Sequence, residues 1–294
     1  MSLIGRKLEN MERHGIDIMY SKGLVSVLMG IYNCEDCLHK SIESIIAQTY
    51  KDWEIIMCDD GSQDGTYMIA KKYAALYPQK IKLIRNSTNM GLNKTLNKCL
   101  ALAAGEFVAR QDADDVSMPE RFEKEVEYLK THQDIAFVST GMIVNDGRER
   151  IGIRLQEQVR PAKKGFMKSN QFYHAPVMIR KEAITNVGGY SESRWLLRVE
   201  DYNLWTKLYA AGYIGENIME GLYEVWEDDA TYNRRKFKYR INGAYAKILA
   251  IKMLHLNIYN YIFVLEGLLK GIVPKTIYRR IHSGKIKKSI ARRF

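Results

Sequence analysis

Asp112, Asp114 and Asp115 put three carboxylates within four positions of a 294-residue chain. The run Glu106-Phe107-Val108-Ala109 leads into them, and Pro119 with Glu120-Arg121-Phe122 opens a helix beyond them. This order predicts that the acids stand where a buried strand ends and the chain turns. In open α/β sheets, ligands bind outside the carboxyl ends of the strands. Three anionic side chains in one turn repel one another unless they share a cation or a positively polarised ligand. Hard divalent ions accept oxygen ligands, often one or two carboxylates together with substrate phosphates. The pattern points to a metal–diphosphate site. A solvated acidic turn would be built from the same residues.

A second polar turn, Asp59-Asp60-Gly61-Ser62-Gln63-Asp64-Gly65-Thr66, follows the apolar run Trp53–Cys58. Its glycines let backbone approach a ligand closely. A third acidic pair, Glu200-Asp201, heads a helical pattern carrying Leu204, Leu208 and Ala211. Acids in a first helical turn are also favoured by the helix dipole alone.

The elements that must position these residues follow from periodicity. Apolar β-rich runs at 24–29, 53–58, 81–84, 106–109 and 135–139 predict strands. Helical spacing joins them. Leu38, Ile42, Ile45, Ile46 and Thr49 form one face, with Asp36 as a plausible cap; Ile69, Tyr73 and Leu76 form another, capped by Asp64 or Thr66. A helix opened by Asn89-Met90-Gly91 runs through Leu96, Leu100 and Ala103 to a stop at Gly105, and another carries Phe122, Val126 and Leu129. About 30 residues separate the starts of the first two strands, the length of a βαβ unit, so these strands should be parallel. The fold class is α/β: a Rossmann-like, doubly wound, mostly parallel sheet with helices on both faces. Residues 141–170 read as less regular, with a hairpin turn at Asp146-Gly147.

The composition, 46% hydrophobic and 27% charged, is that of a globular protein. The net charge of +11 is unevenly spread: residues 230–294 carry +15, with Glu266 their single acid, and residues 1–229 carry −4. Four cysteines are too few for a disulfide framework and suggest a reducing compartment. Cys34 and Cys37 have redox spacing, but no second pair completes a zinc site. Residues 1–23 lack the apolar core of a signal peptide, and no run is long enough for a transmembrane helix.

Val25–Asn33, the Asp59–Thr66 turn, Asn89-x-Gly91, Asp112-Ala113-Asp114-Asp115 and Glu200-Asp201-Tyr202-x-Leu204-Trp205 occur in this order over residues 24–215. Together they resemble a family-2 inverting glycosyltransferase of the GT-A fold. The resemblance implies a nucleotide-sugar donor, UDP-linked by expectation, and Mn²⁺ or Mg²⁺. It implies that Tyr32 packs on the nucleotide base, that Asp60 hydrogen-bonds it and that Asp112 lies near the ribose. Asp114, with Asp115, would hold the metal. Asp201 would be the catalytic base, with Glu200 as its rival. His174 resembles an acceptor-side residue, and Lys94 and Arg110 are candidates to face the diphosphate.

The expected organisation is an N-terminal extension (1–23), a catalytic domain (24–230) and a basic amphipathic helical region (231–294). In the last, Ile258, Ile262, Leu265, Leu269 and Ile272 share a helical face ahead of a polybasic run. This pattern suits a helix lying on an anionic membrane surface; packing on the domain is the alternative. The expectation is a cytoplasmic enzyme, peripheral at the inner membrane face, acting on a glycan or lipid-linked acceptor. Two rival functions fit less well. A sugar-nucleotide pyrophosphorylase needs a glycine-rich loop where Gly30-Ile31-Tyr32-Asn33-Cys34 stands. A nucleic-acid binder would use the tail alone and leave the acidic motifs unexplained, so no nucleic-acid partner is expected.

Overall fold

The computed structural model describes residues 20–226 and 237–269. The expected N-terminal extension falls almost wholly outside them, as does the polybasic run beyond 269. The first strand, β1 (Ser21–Ile31), starts three residues before the expected position. β2 (Trp53–Asp59), β3 (Ile81–Arg85) and β4 (Gly105–Arg110) follow. β1 pairs in parallel with β2 and with β4, and β2 with β3. The joining helices are α1 (Leu38–Ile46), α2 (Thr66–Leu76) and α3 (Leu92–Leu102).

The second half of the sheet is mixed. It contains β5 (Val116–Ser117), β6 (Ile135–Asn145), β7 (Arg150–Arg154), β8 (Val177–Arg180) and β9 (Ile214–Trp226). The strand order is β3-β2-β1-β4-β8-β6-β9-β5, with β7 paired to β6. β8 runs antiparallel between β4 and β6, whereas β6 and β9 are parallel. The hairpin at Asp146-Gly147 forms as expected between β6 and β7. Helices α4 (Arg121–Thr131), α5 (Lys181–Asn186) and α6 (Glu200–Ala210) complete the layers.

Alternation along β2 shows how the sheet serves two cores. Ile55 and Met57 face α1, α2 and α4, whereas Ile56 and Cys58 face α3, α5 and α6. All four are fully buried, as a strand covered on both faces requires. The apolar stripe of α1 (Leu38, Ile42, Ile45) and that of α4 (Phe122, Val126, Leu129) pack on one side. Each fully buried side chain of this kind is worth about 1.5–3 kcal/mol.

Several local expectations change. Asp36 does not cap α1: Cys37 takes that place, without a side-chain cap bond. Thr49 lies beyond the helix, where its N–H donates to Pro119 O. On α2, Leu76 is exposed and Ala70 is the buried contact. Ala211 is exposed beyond the end of α6. Gly105 does not end a helix but opens β4. A Cβ there would meet Leu24 O at 2.4 Å, so glycine permits the close strand approach.

The described part of the C-terminal region, residues 237–269, packs against the sheet-bearing domain. Helix α7 (Phe237–Met253) puts Ala244, Ala246, Ala250 and Ile251 into the core beside α6. A short 3-10 turn (Ile258–Tyr261) and α8 (Ile262–Leu269) follow.

Candidate active site

The acidic turn is held from beneath by buried polar side chains. Gln111 Nε2 donates to the carbonyl oxygens of Asp112 and Asp115 at 3.2 and 2.9 Å. Its Oε1 accepts from Ser117 Oγ at 2.7 Å and from the Arg121 guanidinium at 3.3 Å. Asp112 N–H donates to the Tyr223 hydroxyl at 2.9 Å, and Ser41 Oγ donates to Asp112 O at 2.8 Å. Arg121 and its partner Glu125, 3.2 Å away, have no exposed side-chain surface. Burial pushes the Glu125 carboxyl up to about 7 against the pull of Arg121.

Above this support, one carboxylate oxygen from each of Asp112, Asp114 and Asp115 lies within 4.8 Å of the others. Arg110, the last residue of β4, contacts Asp112 Oδ1 at 2.5 Å. Burial, then the Asp112 and Asp114 charges, drives Asp115 well above the usual carboxylate range. Burial also raises Asp112, with Arg110 pulling the other way. Three converging carboxylates, one of them hard to ionise, form an oxygen donor set that a divalent cation would relieve.

Asp112 and Asp114 line a cavity of about 590 Å³ together with Tyr32, Asn93, Arg198, Glu200 and Tyr239. A smaller cavity of about 220 Å³ adjoins it, lined by Ile31, Tyr32, Asp60, Asn89, Gly91 and Leu92. Asp60 anchors this second wall: its Oδ1 accepts from Asn86 Nδ2 and Met90 N, and its Oδ2 from Gly91 N, each at 2.8 Å. Gly61, next along, has φ +78 and lies against the Thr88 and Asn89 backbone, a position closed to larger residues.

Glu200 faces the larger cavity. Asp201, half-buried beside it, accepts from Asn170 Nδ2 at 2.5 Å and from Tyr202 N at 2.7 Å. Burial first and the Glu200 charge second raise the Asp201 carboxyl to about 6. His174 does not line either cavity. Its Nε2 pairs with the Tyr190 hydroxyl at 3.0 Å and its ring meets Trp205 edge-on. Burial, then Arg110, keeps that imidazole neutral. Lys94 is likewise absent from both walls. Cys34 and Cys37 line the larger cavity as free thiols, and burial lifts Cys34 to about 11.

Four contributors escape the sequence reading. Gln111 and Arg121 sit within the motif, where a buried glutamine before three acids was a usable signal. Tyr223 lies 111 residues from Asp112 and Asn170 lies 31 from Asp201, with no pattern linking them.

The sequence profile of Glycosyl transferase family 2 matches residues 26–194. A putative glycosyltransferase, EpsE of Bacillus subtilis (strain 168), is 42% identical over 91% of this chain and 96% of its own. The Escherichia coli protein WfaP, a UDP-Glc:alpha-D-GlcNAc-diphosphoundecaprenol beta-1,3-glucosyltransferase, is 26% identical over 84% of this chain and 95% of its own. Among solved structures, the mannosyltransferase PcManGT from Pyrobaculum calidifontis, in complex with GDP-Man and Mn²⁺, shares the fold. Its TM-score is 0.63 at 17% identity, covering 97% of this chain and 86% of that one. With the profile spanning more than half its length and EpsE matching almost end to end, the chain belongs to glycosyltransferase family 2: it is a glycosyltransferase of the GT-A fold, an enzyme of glycan biosynthesis.

Proposed function

We propose that the protein is a metal-dependent inverting glycosyltransferase that moves a sugar from a UDP-linked donor to a glycan or lipid-linked acceptor. The observation that carries this reading is the convergence of three carboxylates, Asp112 and Asp114 on a cavity wall and Asp115 buried behind them, beside a smaller cavity with Tyr32 and Asp60 on its wall. WfaP, by its name, uses a UDP-linked donor and a lipid-diphosphate acceptor, which supports the same classes here.

The residues divide the work. The exposed Tyr32 ring packs on the base. A carboxylate has about four acceptor directions, and Asp60 uses three on the protein, leaving one for a ring N–H. Asp112, neutralised by Arg110, faces the ribose. The oxygen set of Asp114 and Asp115 fits Mn²⁺ or Mg²⁺, as the Mn²⁺ in the PcManGT complex supports. A cation there supplies electrostatic stabilisation of the departing nucleoside diphosphate. Asp201 takes the proton of the acceptor hydroxyl as that oxygen attacks the anomeric carbon from the face opposite the leaving group, and one displacement inverts the centre. A carboxyl at about 6 is a better base than an ordinary one, and proton transfer late in the attack suits it. His174 serves the acceptor side indirectly, through its hydrogen bond to the Tyr190 hydroxyl.

The enzyme works at the inner face of a membrane. Ile258, Tyr259, Ile262 and Leu265 are 57–82% exposed just ahead of the polybasic run, a surface suited to an anionic bilayer.

Thermal unfolding with UDP, GDP and their sugars, with Mn²⁺ and with EDTA, tests the donor site. A ligand at 100 times its Kd stabilises by about 2.7 kcal/mol. The expected result is a Mn²⁺-dependent shift with UDP that is lost in Asp114→Asn. Normal turnover by Asp114→Asn would sink the reading.

A further inference from the structure

Three non-glycine residues among those described have positive φ, and two of them, Asn33 (φ 46) and Arg198 (φ 67), line the larger cavity. Asn33 has a local reason: its Oδ1 accepts from Gln63 N at 3.0 Å, and asparagine tolerates the left-handed region. Arg198 has none. Its backbone is fixed from both sides instead. Asn242 Nδ2 on α7 donates to Leu197 O at 3.0 Å, and Val199 N donates to Leu196 O at 3.3 Å. Strain that the surroundings enforce is a mark of ligand-binding positions.

Charge says what the ligand is. Arg198 is the one cation among the described residues lining this cavity, which also carries Asp112, Asp114 and Glu200. The other guanidinium nearby, Arg110, is engaged by Asp112. No ion pair of Arg198 exists among the described residues, and the residue is exposed and lines the cavity. A divalent cation offsets two carboxylates of the acidic turn. The diphosphate then brings further negative charge next to Glu200, and one guanidinium remains to meet it.

We propose that Arg198 binds the diphosphate of the donor from the 197–200 side of the cavity, a reading that rests on the donor site proposed above. During transfer the anomeric C–O bond breaks with its electron pair on the phosphate oxygen. The acceptor oxygen bonds to the anomeric carbon, and the acceptor proton passes to Asp201. Arg198 donates hydrogen bonds to the phosphate oxygens as this charge develops and gives up no proton. Its planar fork suits two such oxygens at once, which a lysine ammonium does not reproduce.

The test is calorimetric titration of the full-length protein with UDP, GDP and uridine in Mn²⁺, for wild type and for Arg198→Ala, Arg198→Lys and Arg198→Gly. Hydrogen bonds to charged groups predict that Ala and Gly lower UDP affinity between about tenfold and about a hundredfold, with uridine affinity unchanged. Lys should fall between. The glycine variant keeps the backbone conformation without strain, so wild-type UDP affinity in Arg198→Gly would overturn the proposal. An equal loss for uridine would show a structural role and overturn it as well. A rise in the acceptor KM with UDP affinity intact would move Arg198 to a phosphate of the acceptor and overturn the donor assignment. Wild-type protein that binds neither UDP nor GDP would instead overturn the donor-site reading itself.

Discussion

At the scale of single residues, the proposed base Asp201 and its neighbour Glu200 set the expected response to pH. A base must be deprotonated to act, so kcat/KM should rise through pH 6 and level above it. Glu200→Gln removes the second cause of the Asp201 shift, and the rising limb should move to lower pH. An unmoved limb in that variant would show that Asp201 is not the titrating base. The stability effect has the opposite sign. A carboxyl raised by the fold contributes stability below its unfolded value of about 3.9, and that contribution is lost as pH rises through about 6. Asp201→Asn should therefore lose activity at pH 7 without losing stability in urea. Equal losses of both would mean that the side chain serves the fold. The acids themselves stood out in the sequence because carboxylate types and their order carry chemistry. The level of the Asp201 pKa was not legible, since Asn170 and the surrounding burial come from elsewhere in the chain.

Among the elements, the junction of β4, β5 and α4 matters most, because it converts an acidic loop into a fixed turn. Arg121 lies at its centre, bound to Glu125, Gln111, Ser117 and the carbonyls of Arg110 and Val177. Arg121→Met should cost about 3–5 kcal/mol, because it leaves Glu125 buried without its partner. Arg121→Met combined with Glu125→Leu should cost less than the sum of the two single changes, in chemical denaturation. Strict additivity would show that the pair is not coupled. Periodicity disclosed α4 and α1 because their stripes face the sheet directly. It missed β5, which is two residues long and exists only as a partner of β9. It also placed Leu76 on the packed face of α2, where Leu76 is exposed and Ala70 is buried, beside the edge strand β3.

For the whole molecule, the order of the strands separates what local pattern reveals from what it does not. The parallel block β3-β2-β1-β4 repeats one unit and could be read forward. The insertion of β8 antiparallel between β4 and β6 could not, since a four-residue strand carries no mark of its neighbours. Helix α7 shows the same limit: it carries basic residues in sequence, yet it buries alanines against α6 and brings Tyr239 to the cavity. What remains outside is the apolar face of the 3-10 turn and α8. Replacing Ile258, Ile262 and Leu265 by glutamate should release the protein from phosphatidylglycerol vesicles in a flotation assay while the melting temperature holds. Undiminished flotation would reject the membrane role of that face.

The hydroxyl of Tyr223 on β9 receives the N–H of Asp112, and β9 is the last strand along the chain among the described residues. A ribosome that has released only the first 150 residues has therefore delivered every acid of the 112–115 turn, with Gln111 beneath it, but without the Tyr223 hydroxyl that takes the Asp112 N–H. Contacts so distant in sequence form late in synthesis. The turn, and with it the proposed metal and donor site, is completed only when β9 has folded.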